Sequence, residues 1–459
     1  MRSFRAVGAI GAVALAAAGL AACGGEAGGD TAEGDGTLTI WTLEDNPDRV
    51  AILEDIAADF GADAGVETAV VPVDAAQFNA LLVSSAASGD LPDVMAALGL
   101  DGVGAMAANE LLNTDAPAEI VDTLGVDTFN PAALDLATVD GTLLAVPSDS
   151  YPTVLFYRTD LFEAAGLDAP TDYDSIMAAA EELQGTGVTP FAGFTTEQGD
   201  FQGLALANGC ELVQEDGTVT LDAPECVEAF TFYDDLITEH SFAGEQDWDA
   251  VRASYLSGQA AMAMYSSYLL DELAGQHENF VPSCPECAAD PAFLAKNSGV
   301  VADIGGSDGM VRGQFRMQSD WAITVTADPE AADFVTYAMS DRYLDVLSMA
   351  PEGKVPDRLG TEENPTEYLD GWEALPIGTA KEQTLADFYP PDVLEALTNP
   401  EGDALWWGVR QGHAELLGAM LGELPVENAM NDMLTDANTP EEAAQQAAEQ
   451  VREIQDSIG

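Results

Sequence analysis

A chain of 459 residues, 47% of them hydrophobic, is long enough for two or three ordinary domains around a large core. Its 81 acidic residues face 14 basic ones, a formal net charge of −67. That balance excludes nucleic-acid binding, which needs clustered Lys and Arg to neutralise phosphates, and the apolar content excludes general disorder.

At the front, Arg2 and Arg5 precede an apolar, Ala-rich run from Ala6 to Ala22 that closes on Leu20-Ala21-Ala22-Cys23. A basic head, an apolar middle and small residues before a cut read as a secretion signal over residues 1–22. The run is shorter than a spanning helix needs, and no later stretch is long enough to cross a bilayer. The cysteine directly after the cut resembles the lipobox of bacterial lipoproteins. That resemblance implies that Cys23 becomes the first mature residue, carries diacylglycerol on its sulfur, and holds the protein at the extracellular face of the cell membrane. A plain signal peptide or a short membrane anchor is the alternative. Residues 23–36 are Gly, Asp and Glu with almost no apolar content and read as a flexible tether.

Order is predicted from Thr37-Leu38-Thr39-Ile40-Trp41, a strand pattern. Asn46-Pro47 opens a helix with Val50, Leu53, Ile56 and Phe60 on one face, ended by Gly61 and Gly65. Thr68–Val71 is the next strand. Asp74 with Gln77 has the form of a capping box ahead of a helix carried by Phe78, Leu81 and Leu82. Asp93–Ala96, Leu143–Pro147 and Thr153–Tyr157 are further strands; Asp160–Gly166 and Thr171–Leu183 are helices. From about Ser340 onward the pattern is mostly helical. The last helix has Thr439 as cap, Pro440 first and Glu441-Glu442 in its first turn. Strands alternating with amphipathic helices indicate an α/β layer with a mainly parallel sheet.

Dense like charge should destabilise a compact state. At about 1 M salt the Debye length falls to roughly 3 Å and most of that repulsion disappears, so the composition reads as a halophilic, acidic protein. A cation-binding surface is the alternative, but no loop carries the Asp/Asn spacing with Glu closure of calcium sites. With Cys23 assigned to lipid, Cys210, Cys226, Cys284 and Cys287 remain in an oxidising compartment. They can pair in three ways; Cys210–Cys226, flanking a hairpin at Glu215-Asp216-Gly217, and Cys284–Cys287 are favoured. The lone C-x-x-C and three histidines are a poor metal set; no metal or cofactor is expected.

No H-E-x-x-H, G-x-S-x-G or Walker loop occurs. Gly99 to Gly104 has its glycines in the wrong order for a dinucleotide fingerprint. Acid pairs are abundant but expected at this composition, so nothing signals an enzyme.

Several segments together resemble the extracellular sugar-binding proteins of ABC importers, the class of maltose-binding protein. They are Leu38-Thr39-Ile40-Trp41 with Phe60-x-x-x-x-Gly65-Val66, Ala87-Ser88-Gly89-Asp90-Leu91-Pro92-Asp93-Val94, and Asp140-Gly141-Thr142-Leu143-Leu144-Ala145-Val146-Pro147. Tyr157-Arg158-Thr159-Asp160-Leu161-Phe162, Gly258-Gln259-Ala260-Ala261-Met262-Ala263-Met264, Gly353-Lys354-Val355-Pro356 and the Thr439-Pro440-Glu441 helix complete the set. Their order and spacing cover nearly all of residues 37–459. The chain departs from the family at Tyr157-Arg158, where Tyr-Asn is usual, and at Gly209-Cys210, where Gly-Gly is usual. The resemblance implies a periplasmic-binding-protein-like α/β fold: two lobes, residues 37–147 plus 310–350 and 148–309 plus 351–459, joined by crossing segments with ligand in the cleft. It implies a monomer that captures a carbohydrate, an oligosaccharide in particular, closes, and delivers it to the membrane permease without altering it.

A sugar offers hydroxyls around apolar C–H faces, so its site needs aromatic planes and hydroxyl-pairing acids or amides. Carried over from the family, the ligand-binding candidates are Glu44 and Asp45 after the first strand, and Asp101 in the loop after the Pro-Asp strand. Asp149 and Tyr151 follow the Val-Pro crossover, Phe201 sits where members place a cleft aromatic, and Tyr268 follows the Ala-Met strand. Asp320 and Trp321 lie at a strand edge, and Trp406 on a late helix has Arg410 one turn on. Of Trp406 and Trp407 one packs and one faces the cleft, and the resemblance picks Trp406. Two rivals stay open. One is the same architecture for a non-sugar solute such as a polyamine or glycerol phosphate ester, with Arg312, Arg316 and Arg410 as the few cations for a phosphate. The other is a surface glycosidase or lyase.

Overall fold

The computed structural model describes residues 36–398, 403–420 and 422–458. The signal, Cys23 and the tether up to residue 35 lie outside them.

The chain opens on β1 (Thr37–Thr42), whose alternation turns Leu38, Ile40 and Thr42 inward. α1 (Pro47–Ala64) starts where the Asp48 N–H donates to Asn46 Oδ1 at 2.9 Å and ends on Gly65 at φ 76°. Gly61 does not end it. It lies inside the helix, where a Cβ would press 2.7 Å from Val66 O, so its role is to admit the returning chain. β2 (Glu67–Pro72) follows. Before α2 (Phe78–Ser88) comes a 3-10 turn, Ala75–Gln77, entered from Asp74, whose carbonyl accepts the Gln77 N–H at 2.9 Å. β3 (Val94–Leu98) and α3 (Leu100–Ala108) continue the alternation.

A small hairpin, β4 (Thr138–Val139) and β5 (Thr142–Leu143), turns on Asp140 and Gly141, both at positive φ. The two strands expected around Pro147 and Thr153 are one, β6 (Val146–Arg158). The change in pattern between them marks a change of partner. Residues up to Pro152 pair antiparallel with β10 (Gly313–Ile323); from Thr153 on the partner is β8 (Ala260–Ser266). With β7 (Thr189–Ala192), the sheet runs β2-β1-β3-β10-β6-β8-β7. β9 (Ser298–Val301) and β11 (Val355–Pro356) pair with β6, and β12 (Asp403–Leu405) with β10.

The protein is thus a two-lobed α/β fold of the periplasmic-binding-protein kind. β1, β2 and β3 are parallel in one lobe; β7 and β8 are parallel in the other. β6 and β10 run through both and join them antiparallel. Packing does not break at 350/351: the Arg358 guanidinium donates to Met339 O, to Leu124 O at 2.9 Å and to Thr128 Oγ1 at 3.3 Å. Across from α3, the helix Ala414–Met420 comes so close that a Cβ on Gly418 would lie 2.8 Å from the Ala105 backbone.

Cys210 is bonded to Cys226 and Cys284 to Cys287. The last helix, Pro440–Ile458, is closed by reciprocal bonds between Thr439 and Glu442 and buries Ala443, Ala444, Ala447, Ala448 and Val451. Among the described residues no helix is long and apolar enough to cross a membrane.

Candidate functional site

The site assembles where chain segments leave the sheet. After β1, the Glu44 N–H donates to Thr42 Oγ1 at 3.1 Å, which fixes the turn and aims the carboxylate inward. The first turn of α1 sends Arg49 back to it, Nη1 to Oε2 3.3 Å. Lys354, just before β11, places Nζ 2.7 Å from Glu44 Oε1 and 3.3 Å from Asp149 Oδ1. Burial pushes Glu44 up, but Lys354 and Arg49 outweigh it and hold the carboxyl down at about 2. Lys354 is raised: burial opposes its charge, and Asp149 and Glu44 more than reverse that. Asp149 is raised by burial, since the ammonium lies closer to Glu44.

Asp149 and Tyr151 are two apart on β6 and share one face of the strand. The Tyr151 ring meets Tyr268 edge-on, centroids 5.1 Å apart at 71°. Tyr268 follows β8 and lies against Gly353, where any Cβ would fall inside its ring. The Arg49 guanidinium sits 5.1 Å from the Tyr268 centroid. Burial pushes the Tyr151 hydroxyl up to about 12, so it stays a hydrogen-bond donor.

Two cavities flank this cluster. One, about 260 Å³, is bordered by Asp45, Arg49, Arg252, Tyr268, Asp271 and Glu352. The other, about 70 Å³, is bordered by Asp101, Gln198, Gln202, Trp406, Trp407 and Glu427. Asp101 is raised by burial, and its Oδ1 accepts the Gly102 N–H at 2.8 Å. Gln202 Nε2 and Gln198 Oε1 are buried without a protein partner.

Of the residues singled out from the sequence, Glu44, Asp149, Tyr151 and Tyr268 belong to the cluster, Asp45 borders the first cavity, and Asp101 and Trp406 border the second. Trp321 reaches the back of the cluster, bordering a 20 Å³ space with Glu44, Asp149 and Lys354. Four placements differ from expectation. Phe201 is fully buried among Phe230 and Tyr233, centroids 4.3 and 5.6 Å away, because its helix turns Gln198 and Gln202, not the ring, to the cavity. Asp320 and Trp321 lie inside β10 rather than at a strand edge, and Asp320 is wholly buried, accepting from Gln318 Nε2 at 2.9 Å. Trp406 stands just after β12 in a turn, not on a helix. Arg410 is therefore not one turn along from it. Its side chain points to Asp135, Nε to Oδ2 3.5 Å, and borders neither cavity.

Trp407 is the packed member of the pair, its Nε1–H donating to Cys210 O at 2.9 Å. Arg312 is held by Asp308 and Ala207 O, and Arg316 by Gln314, Leu397 O and Ser150; neither borders the cavities. The cations that do, Arg49 and Arg252, escaped the sequence reading, as did Lys354. A lysine among only three, inside an apolar Gly-Lys-Val-Pro stretch, was the one available signal.

Comparison with known proteins agrees with this architecture. The family model described as bacterial extracellular solute-binding protein matches residues 45–343. The putative ABC transporter periplasmic-binding protein YcjN of Escherichia coli (strain K12) is 27% identical over 324 residues, 67% of this chain and 70% of that one. Maltose-bound MalE3 of T. maritima superposes with TM-score 0.66 at 20% identity, over 91% of this chain and 99% of its own. The GacH receptor of Streptomyces glaucescens, solved unliganded and with acarbose, gives TM-score 0.65 at 21% identity, over 92% and 99%.

Proposed function

The chain belongs to the bacterial extracellular solute-binding proteins, and on that premise we propose that its solute is a carbohydrate, an oligosaccharide in particular, held between the lobes. As a member it is a binding protein of an ABC importer and not an enzyme. The observation that carries the proposal is the Tyr151–Tyr268 pair set against Glu44, Asp149 and Lys354. Aromatic planes suit the C–H faces of a sugar ring, and the ion cluster around them offers both acceptors and donors for its hydroxyls. Trp406, with Asp101 and Gln202 beside it, offers a second aromatic and polar surface for a longer ligand. MalE3 and GacH, solved with maltose and acarbose, support this choice of solute class.

A phosphate ester is disfavoured by charge. Arg49 is spent on the Glu44 carboxylate, Arg252 on Glu272 and Asp249, and Lys354 on Glu44 and Asp149. We take lobe closure as the event the permease reads, with residues 37–147 plus 310–350 as one lobe and the remainder of the folded part as the other, except that the segment around Arg358 packs on the first. We also propose, from the Leu20–Cys23 motif, that a lipid on Cys23 tethers the protein, and that it works as a monomer. The test is a thermal-shift and calorimetric screen in molar NaCl against mono- and oligosaccharides. Saturable, stoichiometric heat with unchanged sugar recovered supports the reading; no shift with any saccharide overturns it, and released product would point to a hydrolase.

A further inference from the structure

The cavity of about 260 Å³ is bordered by carboxyls whose oxygens the protein leaves partly unused. Asp271 and Glu352 border it, 2% and 4% exposed. Asp271 is in the short helix Leu269–Leu273, and Glu352 in the 3-10 turn Pro351–Gly353 packed against the start of that helix, where Ser267 Oγ donates to Glu352 O at 2.6 Å. Asp271 Oδ2 is buried with no hydrogen-bond partner, and so is Glu272 Oε2 beside it. Glu352 Oε2 accepts only a long bond, 3.4 Å, from the Gly378 N–H.

Of the cations facing the pair, two are ion-paired with other acids and the third is bonded to backbone carbonyls. Arg49 of α1 is bonded to Glu44, and Arg252 to Glu272 and Asp249. Lys381 donates to the Ser348 carbonyl at 2.8 Å and the Met349 carbonyl at 3.4 Å. His277 borders the same cavity but lies under Arg252 and Arg49, which together with burial favour its neutral form. Two buried carboxyls thus share a solvent-reaching cavity, neither of them in an ion pair with a described residue, while Lys381 and Arg49 act on Glu352 only from a distance. Burial and mutual repulsion hold Asp271 well above the usual carboxylate range. Among the described residues no set of three or more His, Cys, Asp or Glu has a geometry to hold a metal ion, so a metal is not the missing charge.

We propose that the solute is an amino sugar: a polyhydroxylated ring bearing a protonated amine, with the ring on Tyr268 and the ammonium on Asp271 and Glu352. This rests on the carbohydrate reading and narrows it. An ammonium offers three donors, to the unpartnered Asp271 oxygen and to Glu352, and favours the charged form of both acids, which a neutral hydroxyl cannot do. The interaction survives high salt because buried pairs are screened far less than exposed ones.

The test is calorimetry at neutral pH in molar NaCl on the whole folded protein. Gluco, galacto and manno rings and their disaccharides are each compared as free amine, N-acetyl and hydroxyl forms. The amine form is expected to bind at least roughly tenfold tighter than its two counterparts, ~1.4 kcal/mol. Asp271→Asn, and separately Glu352→Gln, should bring that ratio close to one, the amine and hydroxyl forms being compared within each variant so that a general loss of affinity cancels; a ratio that stayed tenfold in both variants would overturn the assignment. Neutral sugars binding as well as amines to the wild-type protein would overturn the amine assignment and leave the carbohydrate reading standing. No binding in any arm would overturn both.

Discussion

Lys354 Nζ lies 2.7 Å from Glu44 Oε1 and 3.3 Å from Asp149 Oδ1, so one ammonium neutralises acids brought in by two distant segments of chain. Glu44 leaves β1, Asp149 lies on a strand common to both lobes, and Lys354 enters from β11. The triad ties the first lobe to the crossing segments at the floor of the cleft. Replacing Lys354 with Met leaves buried Asp149 without its cation and Glu44 with Arg49 alone, a loss of about 3–5 kcal/mol. Chemical denaturation should show that loss, and adding Glu44→Gln to Lys354→Met should recover part of it. A stable Lys354→Met protein would mean the triad is not formed in solution.

Gly353 and Tyr268 set the aromatic wall. A methyl on residue 353 would fall inside the Tyr268 ring, so Gly353→Ala must swing the tyrosine away from Tyr151. The fold should lose about 1–3 kcal/mol by overpacking. Saccharide affinity should fall by more than tenfold, ~1.4 kcal/mol or above. Unchanged affinity in calorimetry would take Tyr268 out of the site.

The neighbouring tryptophans should separate binding from stability. Trp406 borders the smaller cavity and leans on Phe315, centroids 5.2 Å apart. Trp407 is 1% exposed and bonded to Cys210 O. Trp406→Ala should weaken binding by about 2 kcal/mol or more with a modest change in melting. Trp407→Ala should cost about 3–5 kcal/mol of stability. The opposite assignment of effects would exchange their roles.

What could be read from the chain follows the range of the forces involved. The start of α1 at Asn46-Pro47 and the Thr439 cap are local, since cap and helix lie within four residues of each other. The strand break expected between Pro147 and Thr153 failed because strand continuity depends on partners, β10 on one side of Pro152 and β8 on the other. Glu44, Tyr151 and Tyr268 were reached through family resemblance, which fixes positions after strands. Phe201 was misplaced because resemblance locates a helix but not which of its faces meets the cavity. Lys354 finds its acids across long stretches of chain, 205 residues between Lys354 and Asp149, and no local pattern announces such a pair.

Acidity should make the protein depend on salt. With 81 acids against 14 basic residues, self-repulsion opposes the folded state. Raising NaCl from about 0.1 M to 1 M shortens the Debye length from roughly 10 to 3 Å, and the melting temperature should climb by several degrees. A flat or falling melting curve would sink the halophilic reading.

The pH response should run opposite to that of a protein held by surface ion pairs. Burial lifts Glu272 and Asp357 to about 7 each. The folded state therefore holds protons that the unfolded chain gives up between roughly pH 4 and 7, and stability must fall as pH rises through that window. Glu44, held at about 2, contributes the reverse: its stabilisation is complete above the ordinary carboxylate value and is lost as pH drops toward 2. Together they place the maximum near pH 5, where the buried acids are protonated and Glu44 is still charged. Urea titrations in molar NaCl, which screens the general surface repulsion, should show higher stability at pH 5 than at pH 8. Asp357→Asn should flatten that slope by up to a few kcal/mol, because each tenfold change in proton affinity on folding is worth ~1.4 kcal/mol. A protein more stable at pH 8 would show that Asp357 and Glu272 ionise freely in the fold.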